Sequence, residues 1–218
     1  MPTAGLQADL LIGAGCVGEI ETAGIALGEA GLAPRFTAAV KAGRLSTRDS
    51  TCPAIHAGLQ AAEKGIPFIP LRGIIGSDLV GRRPDWRLGE NPFAEGDPIL
   101  LLPAIAPDVA LFHVPVADRG GNVWIGRRRE LVTMAHASRQ TFVTVERIQE
   151  ESLMDGEASA AGTLSALYVT AIAEAPRGAW PLGLAEHYAT DDEHLAAYAA
   201  AARTEDGFRA YLRDHGGL

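Results

Sequence analysis

Cysteine is scarce. The 218 residues contain two, Cys16 and Cys52, far apart in the chain, without a CxxC spacing and with no histidine cluster beside them. That argues against a disulfide framework and against a zinc site of the usual spacing. Two free thiols remain, and free cysteines are most often buried, which is the expectation for both. Lysine is equally rare: Lys41 and Lys64 are the two among 19 basic residues, a bias of composition and not of function. Positive charge is in deficit too. A net charge of −8 gives no footprint for nucleic acid, whose binding needs a basic face. The one basic run, Arg127 to Arg129, is either a solvated turn or a contact for phosphate.

No apolar stretch approaches the ~18 residues of a membrane span. The N-terminus, MPTAGLQADLLIG, lacks the basic start and apolar core of a secretory signal. A cytoplasmic protein is therefore expected. There is no internal repeat and no low-complexity tract.

What is present is an ordinary globular composition, with 47% apolar and 21% charged residues. Its length suits a single domain over residues 1–218. Asp9 to Gly13 (DLLIG) is expected as a short buried strand. Thr22 to Ala30 is compatible with a helix. Arg35 to Gly43 reads as a helix ending on glycine. Pro53 to Lys64 is the clearest early helix, with Pro53 in its first turn, Gly65 at its end and Ile55, Leu59 and Ala62 along one face. Ile66 to Ile75 reads as extended, and Gly81 to Asp97 as a long exposed loop.

Ile99 to Leu102, Val109 to Val116 and Thr141 to Ile148 are strand-like runs, with a helix at Glu130 to Arg139 before the last. Leu167 to Ala173 is a further strand candidate. Asp191 to Arg203 and Thr204 to His215 read as terminal helices, the first capped by Thr190 or Asp191. Near-continuous apolar strands imply burial on both faces. The expected fold is α/β, with a mixed, mostly parallel sheet flanked by helices.

Gly13-Ala-Gly15-Cys-Val-Gly18 fits the GxGxxG pattern of dinucleotide-binding turns. Glu19 and Glu21 follow at once, where a carboxylate would oppose a pyrophosphate. The acidic residue that should end a second strand is replaced by Pro34 and Arg35. A glycine-rich turn with close backbone packing is the better reading.

From about Ser50 onward the pieces share an order and spacing with a known family. They are the helix from Cys52-Pro53 to Ala62; Pro67-Phe-Ile-Pro-Leu-Arg-Gly73 with Gly76-Ser77-Asp78-Leu79; Pro103-Ala-Ile; Pro107-Asp108-Val-Ala-Leu; His113-Val; and Ala117-Asp118-Arg-Gly-Gly-Asn122. Glu130, Met134-Ala135, Thr144-Val-Glu146-Arg-Ile148, Tyr168-Val, Glu174-Ala-Pro176 and Gly178-Ala-Trp180-Pro181 continue the pattern. In these the chain resembles the alpha subunits of family I CoA-transferases, such as the glutaconate and 3-oxoacid enzymes, over roughly two thirds to three quarters of its length.

The resemblance implies a protein that works with a beta subunit in a hetero-oligomer, moving CoA between an acyl-CoA and a carboxylic acid. Coenzyme A would be a substrate, and no cofactor or metal is implied. The nucleophilic glutamate would lie on the beta subunit, so no catalytic residue is assigned here. Family alpha subunits usually begin with a further strand and a glycine-rich turn. This chain starts beyond where that unit should lie, and an exposed strand edge favours tight association. Steroid-ring-opening CoA hydrolases look like the same family. They carry an acidic residue just before the helix that matches Pro53 to Lys64. Here Ser50, Thr51 and Cys52 stand there, with Asp49 the nearest carboxylate. The alternatives are such a hydrolase or C–C-cleaving relative, or a non-catalytic scaffold subunit.

The candidate CoA- or substrate-binding residues are Gly76, Ser77, Asp78, Gly120, Gly121 and Asn122. By their own chemistry, Gly120 and Gly121 permit positive φ, and Asn122 offers a donor and an acceptor. Asp118 to Asn122 is then either a ligand-facing turn or a plain Asx turn. Ser77 or Asp78 either caps a helix or touches substrate. Glu146, inside an apolar strand, needs a partner, for which Arg147 and Arg139 are the candidates. His113 is expected to be a satisfied core histidine.

Overall fold

In the computed structural model of the chain, residues 3–215 are described. In chain order the elements are β1 (Thr3–Ala4), α1 (Leu6–Gly13), β2 (Glu19–Thr22), β3 (Gly24–Ile25), α2 (Pro34–Lys41), β4 (Ser46–Asp49), α3 (Cys52–Glu63), β5 (Phe68–Leu71), α4 (Asp78–Arg82) and β6 (Arg87–Glu90). Then follow β7 (Pro98–Pro103), β8 (Val109–Asp118), β9 (Val123–Trp124), α5 (Glu130–Ala137), β10 (Gln140–Gln149), α6 (Glu157–Ala161), β11 (Thr163–Leu164), β12 (Ala171–Glu174), α7 (Asp192–Ala201) and α8 (Glu205–His215). The α/β class read from the sequence is the class observed. The elements group into two compact units interleaved along the chain. One holds Met1–Ile55, Ser77–Arg83 and Asp191–Leu218, the other His56–Gly76 and Pro84–Thr190.

The second unit is built on a five-stranded sheet in the order β11-β9-β8-β10-β12. β8, β10 and β12 run parallel, with Val143 level with Phe112 on one side and Ile172 on the other. β9 turns back antiparallel on β8, and β11 on β9. The β-branched runs of β8 and β10 suit a pleated, buried surface. Parallel neighbours need a crossover, and α5 lies within it. Leu131 and Ala135 of α5 bury against Val114, Val143 and Val145. Each of these leucine and valine side chains, once buried, contributes about 1.5–3 kcal/mol. Because strand side chains alternate, His113, Thr144 and Glu146 project from the opposite face. A second sheet of this unit is antiparallel, β5-β7-β6.

The first unit carries two parallel pairs, β1-β3 and β2-β4, and four helices of at least eight residues, α1, α2, α7 and α8. Asp9 of α1 is fully buried. It accepts hydrogen bonds from the amides of Phe36 (2.7 Å) and Arg35 (3.3 Å) at the start of α2, and from the Tyr198 hydroxyl of α7 (2.7 Å). No helix among the described residues is long and apolar enough to cross a membrane.

Several local expectations change. Asp9 to Gly13 is helix, not strand. Leu6, Asp9 and Ile12 are buried at helical spacing, and a short apolar run does not by itself distinguish the two periods. Thr22 to Ala30 is not one helix: it runs from the end of β2 through β3, and only Gly28–Ala30 makes a single 3-10 turn, entered at Gly28 with φ +60°. The GxGxxG segment leaves a helix and enters β2, which reverses the strand–turn–helix order of the dinucleotide site. Both cysteines are free but exposed, one in the turn after α1 and one opening α3.

The Gly81 to Asp97 loop contains β6, which β7 draws into its sheet, and buries Trp86. In Leu167 to Ala173 only the end is strand, because Ala166–Tyr168 is a 3-10 turn entered through Ser165. The helices at Pro34–Lys41, Cys52–Glu63, Glu130–Ala137, Asp192–Ala201 and Glu205–His215 lie where the sequence puts them.

Candidate functional site

Parallel strands bring their carboxyl ends to one edge, and in open α/β sheets that edge is where ligands bind. Here β8 ends at Asp118, β10 at Gln149 and β12 at Glu174. The turn leaving β8 contains Gly120, Gly121 and Asn122. Gly121 has φ +88°, and a Cβ on it would meet Ala166 Cβ at 3.2 Å, so both conformation and space call for glycine. Asp118 is buried beneath the turn. Its carboxylate accepts the Asn122 amide (2.9 Å), the Asn122 side-chain Nδ2 (2.9 Å) and the Leu153 amide (2.9 Å). Asn122 Oδ1 accepts the Ala166 amide at 2.9 Å.

The turn is thus an Asx turn whose side chains tie down two further segments. Burial acts to raise the Asp118 pKa. The hydrogen bonds from the Asn122 side chain and from the Leu153, Asn122 and Gly120 amides outweigh it and hold the group below its ordinary value. Asp118→Ala leaves those donors without an acceptor. It is expected to lower stability by about 3 kcal/mol, measured as a shift of the urea midpoint.

Gly76 closes a turn with φ +88°, and Ser77 occupies the N-cap position of α4 in extended backbone. Asp78 lies in the first turn and pairs with Arg82 at 3.4 Å, both largely exposed. A helix does start here, but the capping role weighed for Ser77 is not seen, since its side chain makes no cap hydrogen bond to the helix. Gly76, Gly120, Gly121 and Asn122 belong to one unit, whereas Ser77 and Asp78 belong to the other.

A third group went unread in the sequence. His113 of β8 lies level with Thr144 of β10, and Glu146 follows two residues on, on the same face. The imidazole is held from both sides, by Thr144 Oγ1 (2.9 Å) and Glu146 Oε1 (2.8 Å). Glu146 also accepts the Tyr188 hydroxyl (2.6 Å) and the Arg177 amide (2.6 Å). Arg147 and Arg139 are not its partners: Arg147 reaches Gln149, and Arg139 reaches Asp108. Neighbouring residues on a strand point to opposite faces, which removes Arg147.

Burial works to raise the Glu146 pKa, but its three donors more than offset it and the net shift is downward. Tyr188 moves the other way, raised by burial and by the acceptor carboxylate. His113 is the satisfied histidine expected. The segment that completes the cluster is irregular, with Arg177 at φ +58° and Gly178 packed so closely that a Cβ would stand 2.7 Å from the His113 ring.

No protein-family model matches the chain. Individual proteins do. An uncharacterized protein of Archaeoglobus fulgidus is 32% identical over 95% of this chain, which spans 46% of that protein's length. The alpha-type subunit of the 3-oxoadipate CoA-transferase of Pseudomonas knackmussii is 29% identical over 98% of the chain and 76% of its own length. The cholesterol ring-cleaving hydrolase IpdA subunit of Mycobacterium tuberculosis is 31% identical over 84% and 65%.

Among solved structures, glutaconate coenzyme A-transferase from Acidaminococcus fermentans superposes with a TM-score of 0.89. It is 27% identical and covered over 97% of this chain and 72% of that one. A variant of the decarboxylase AibA/AibB gives 0.82 at 31% identity, over 97% and 80%. These likenesses define the class of fold, that of CoA-transferase-type α/β subunits. The chain belongs to the alpha subunits of the family I CoA-transferases.

Proposed function

We propose that the chain is the alpha subunit of a two-subunit CoA-transferase, moving CoA from an acyl-CoA to a carboxylic acid. The observation that carries this is a likeness running through nearly all of this chain to two such transferases, one in sequence and one in fold. In the proposed reaction a glutamate of the beta subunit supplies the carboxylate that attacks the acyl-CoA. The CoA is then held as an enzyme thioester and passed to the second acid, with water excluded. The bonding of Glu146 fits this division of labour. Three donors hold its carboxylate, so it is built to position β8, β10 and the 177–188 segment and not to attack. Gly120, Gly121 and Asn122, at the carboxyl edge of the sheet, are the proposed wall for CoA or substrate in this unit. Gly76, Ser77 and Asp78 are the proposed contacts outside that turn.

A beta-type subunit from the same genome, purified together with this chain, supplies the test. Titration calorimetry with CoA is expected to show saturable binding to the pair. Absence of binding to both the pair and the isolated chain would leave a scaffold role instead. A second reading, a CoA-thioester hydrolase or C–C-cleaving relative, is favoured by the match to the ring-cleaving hydrolase subunit. Against it stand Ser50, Thr51 and Cys52 at the entry to α3, with the nearest carboxylate, Asp49, exposed at the end of β4.

A further inference from the structure

We infer that a cavity in the second unit is an oxyanion site, built on Arg127 and Arg128, for a carboxylate or phosphate group of a ligand. The cavity is about 350 Å³, and all of its walls belong to one unit. His113 to Pro115 of β8 form one wall, Trp124 to Arg128 the second and Leu184 to Glu186 the third. Arg127 and Arg128 make no ion pair or side-chain hydrogen bond among the described residues. The next residue, Arg129, is spent on the Ala161 carbonyl at 3.0 Å. Two unengaged guanidiniums on one cavity wall, in a chain of net charge −8, are a local reversal of the overall field. A guanidinium presents a planar fork of donors that matches carboxylate and phosphate.

The turn that carries them is fixed. The amides of Ile125 and Gly126 both donate to the Gly162 carbonyl, at 2.9 and 3.0 Å. The Trp124 ring lies so close to Gly162 that a Cβ there would stand 2.3 Å from it, and Gly126 lies beside the indole at φ +57°. Trp124 therefore gives a flat wall in one orientation, with its indole N–H unengaged among the described residues. The wall across from it is held too. Leu184 and Tyr188 bridge, Tyr188 bonds Glu146, and Glu186 sits at φ +67°. A non-glycine residue keeps that backbone only where its surroundings enforce it.

Glu186 is the one carboxylate on the lining. Against two guanidiniums it leaves the cavity net positive and selects for an anion of limited size. Both His113 nitrogens are engaged, so the ring shapes the cavity and leaves anion binding to the arginines. This site stands on its own geometry, apart from the transferase reading. If that reading holds, the anion is either a phosphate of CoA or the carboxylate of an acid substrate.

The test is tryptophan fluorescence and calorimetry of the full chain, alone and with its beta subunit, titrated separately with inorganic phosphate, glutarate, CoA and neutral glutaramide. Saturable binding of at least one anion is expected, and none of glutaramide. R127Q/R128Q is expected to weaken that binding about tenfold or more, the scale of losing charge-assisted contacts. W124F is expected to remove the fluorescence change and keep the calorimetric signal. Both arginines are exposed, so the double variant should keep the wild-type urea midpoint. Loss confined to CoA and phosphate assigns a phosphate site, and loss confined to glutarate assigns a carboxylate site. No saturable anion binding, or equal affinity in R127Q/R128Q, overturns the inference. Anion binding without CoA exchange overturns the transferase reading alone.

Discussion

Asp9→Ala is expected to cost about 3–5 kcal/mol of stability, the scale of removing one member of a buried polar network. Asp9 has no exposed surface, and three donors converge on it. Two are amides at the first positions of α2, where helix N–H groups have no partner within the helix. Ala33, which stands at the N-cap position of α2, has no side-chain acceptor to offer. Asp9 of α1 supplies that acceptor from outside the helix. The third donor is the Tyr198 hydroxyl, whose pKa is pushed well up by burial and then by the bond to Asp9. Alanine removes the one acceptor that all three donors share at a fully buried position. Tyr198→Phe removes one donor and leaves the helix start capped, so its cost is expected to be near 1 kcal/mol. Urea unfolding followed by circular dichroism measures both. A loss below 1 kcal/mol for Asp9→Ala would contradict this account of how α1, α2 and α7 are joined.

Glu146→Ala is expected to cost about 3–4 kcal/mol at neutral pH, because the Tyr188 hydroxyl, the Arg177 amide and His113 lose a shared acceptor. The pH dependence follows from the direction of the shift. The folded-state pKa of Glu146 lies below its ordinary value of 4.5, since its three donors outweigh burial. The stabilisation is therefore complete above that ordinary value and is lost as pH falls through the depressed one. The difference between wild type and Glu146→Ala should be largest at neutral pH and shrink in acid. A difference that stays constant from pH 7 to pH 3 would mean that the carboxylate charge is not what holds the cluster.

What the sequence made legible has a physical pattern. α3 was readable because Pro53 opens it and Gly65, at φ +67°, ends it. α7 was readable because Asp191 caps it, accepting the His194 amide at 2.9 Å. β7, β8 and β10 announce themselves as apolar runs, although in the structure burial alternates along them, with Leu100 and Leu102, Val114 and Val116, and Val143 and Val145 buried and Leu111 exposed. The Asp118 to Asn122 turn was readable because its glycines and Asn122 are the residues a tight turn uses.

α1 was missed because eight residues of mostly apolar sequence fit a strand or a helix. β2 and β4 are short and polar, EIET and STRD, and pair across 27 residues, so no local pattern marks them. The Glu146 cluster depends on parallel register: His113 is 33 residues from Glu146 and Tyr188 is 42. Spacing in one strand gives the face of a side chain but not its neighbour in the next. The anion cavity was half visible. The run Arg127 to Arg129 stood out, but which of its members are engaged and what faces them comes only from the fold.

The most direct measurement follows a labelled carboxylic acid with the chain and a beta-type subunit from the same genome purified together and an acyl-CoA supplied. CoA is expected to move onto the labelled acid, at a rate that rises with acid concentration and without net release of free CoA. Release of free CoA at a rate indifferent to the acid would contradict the transferase assignment.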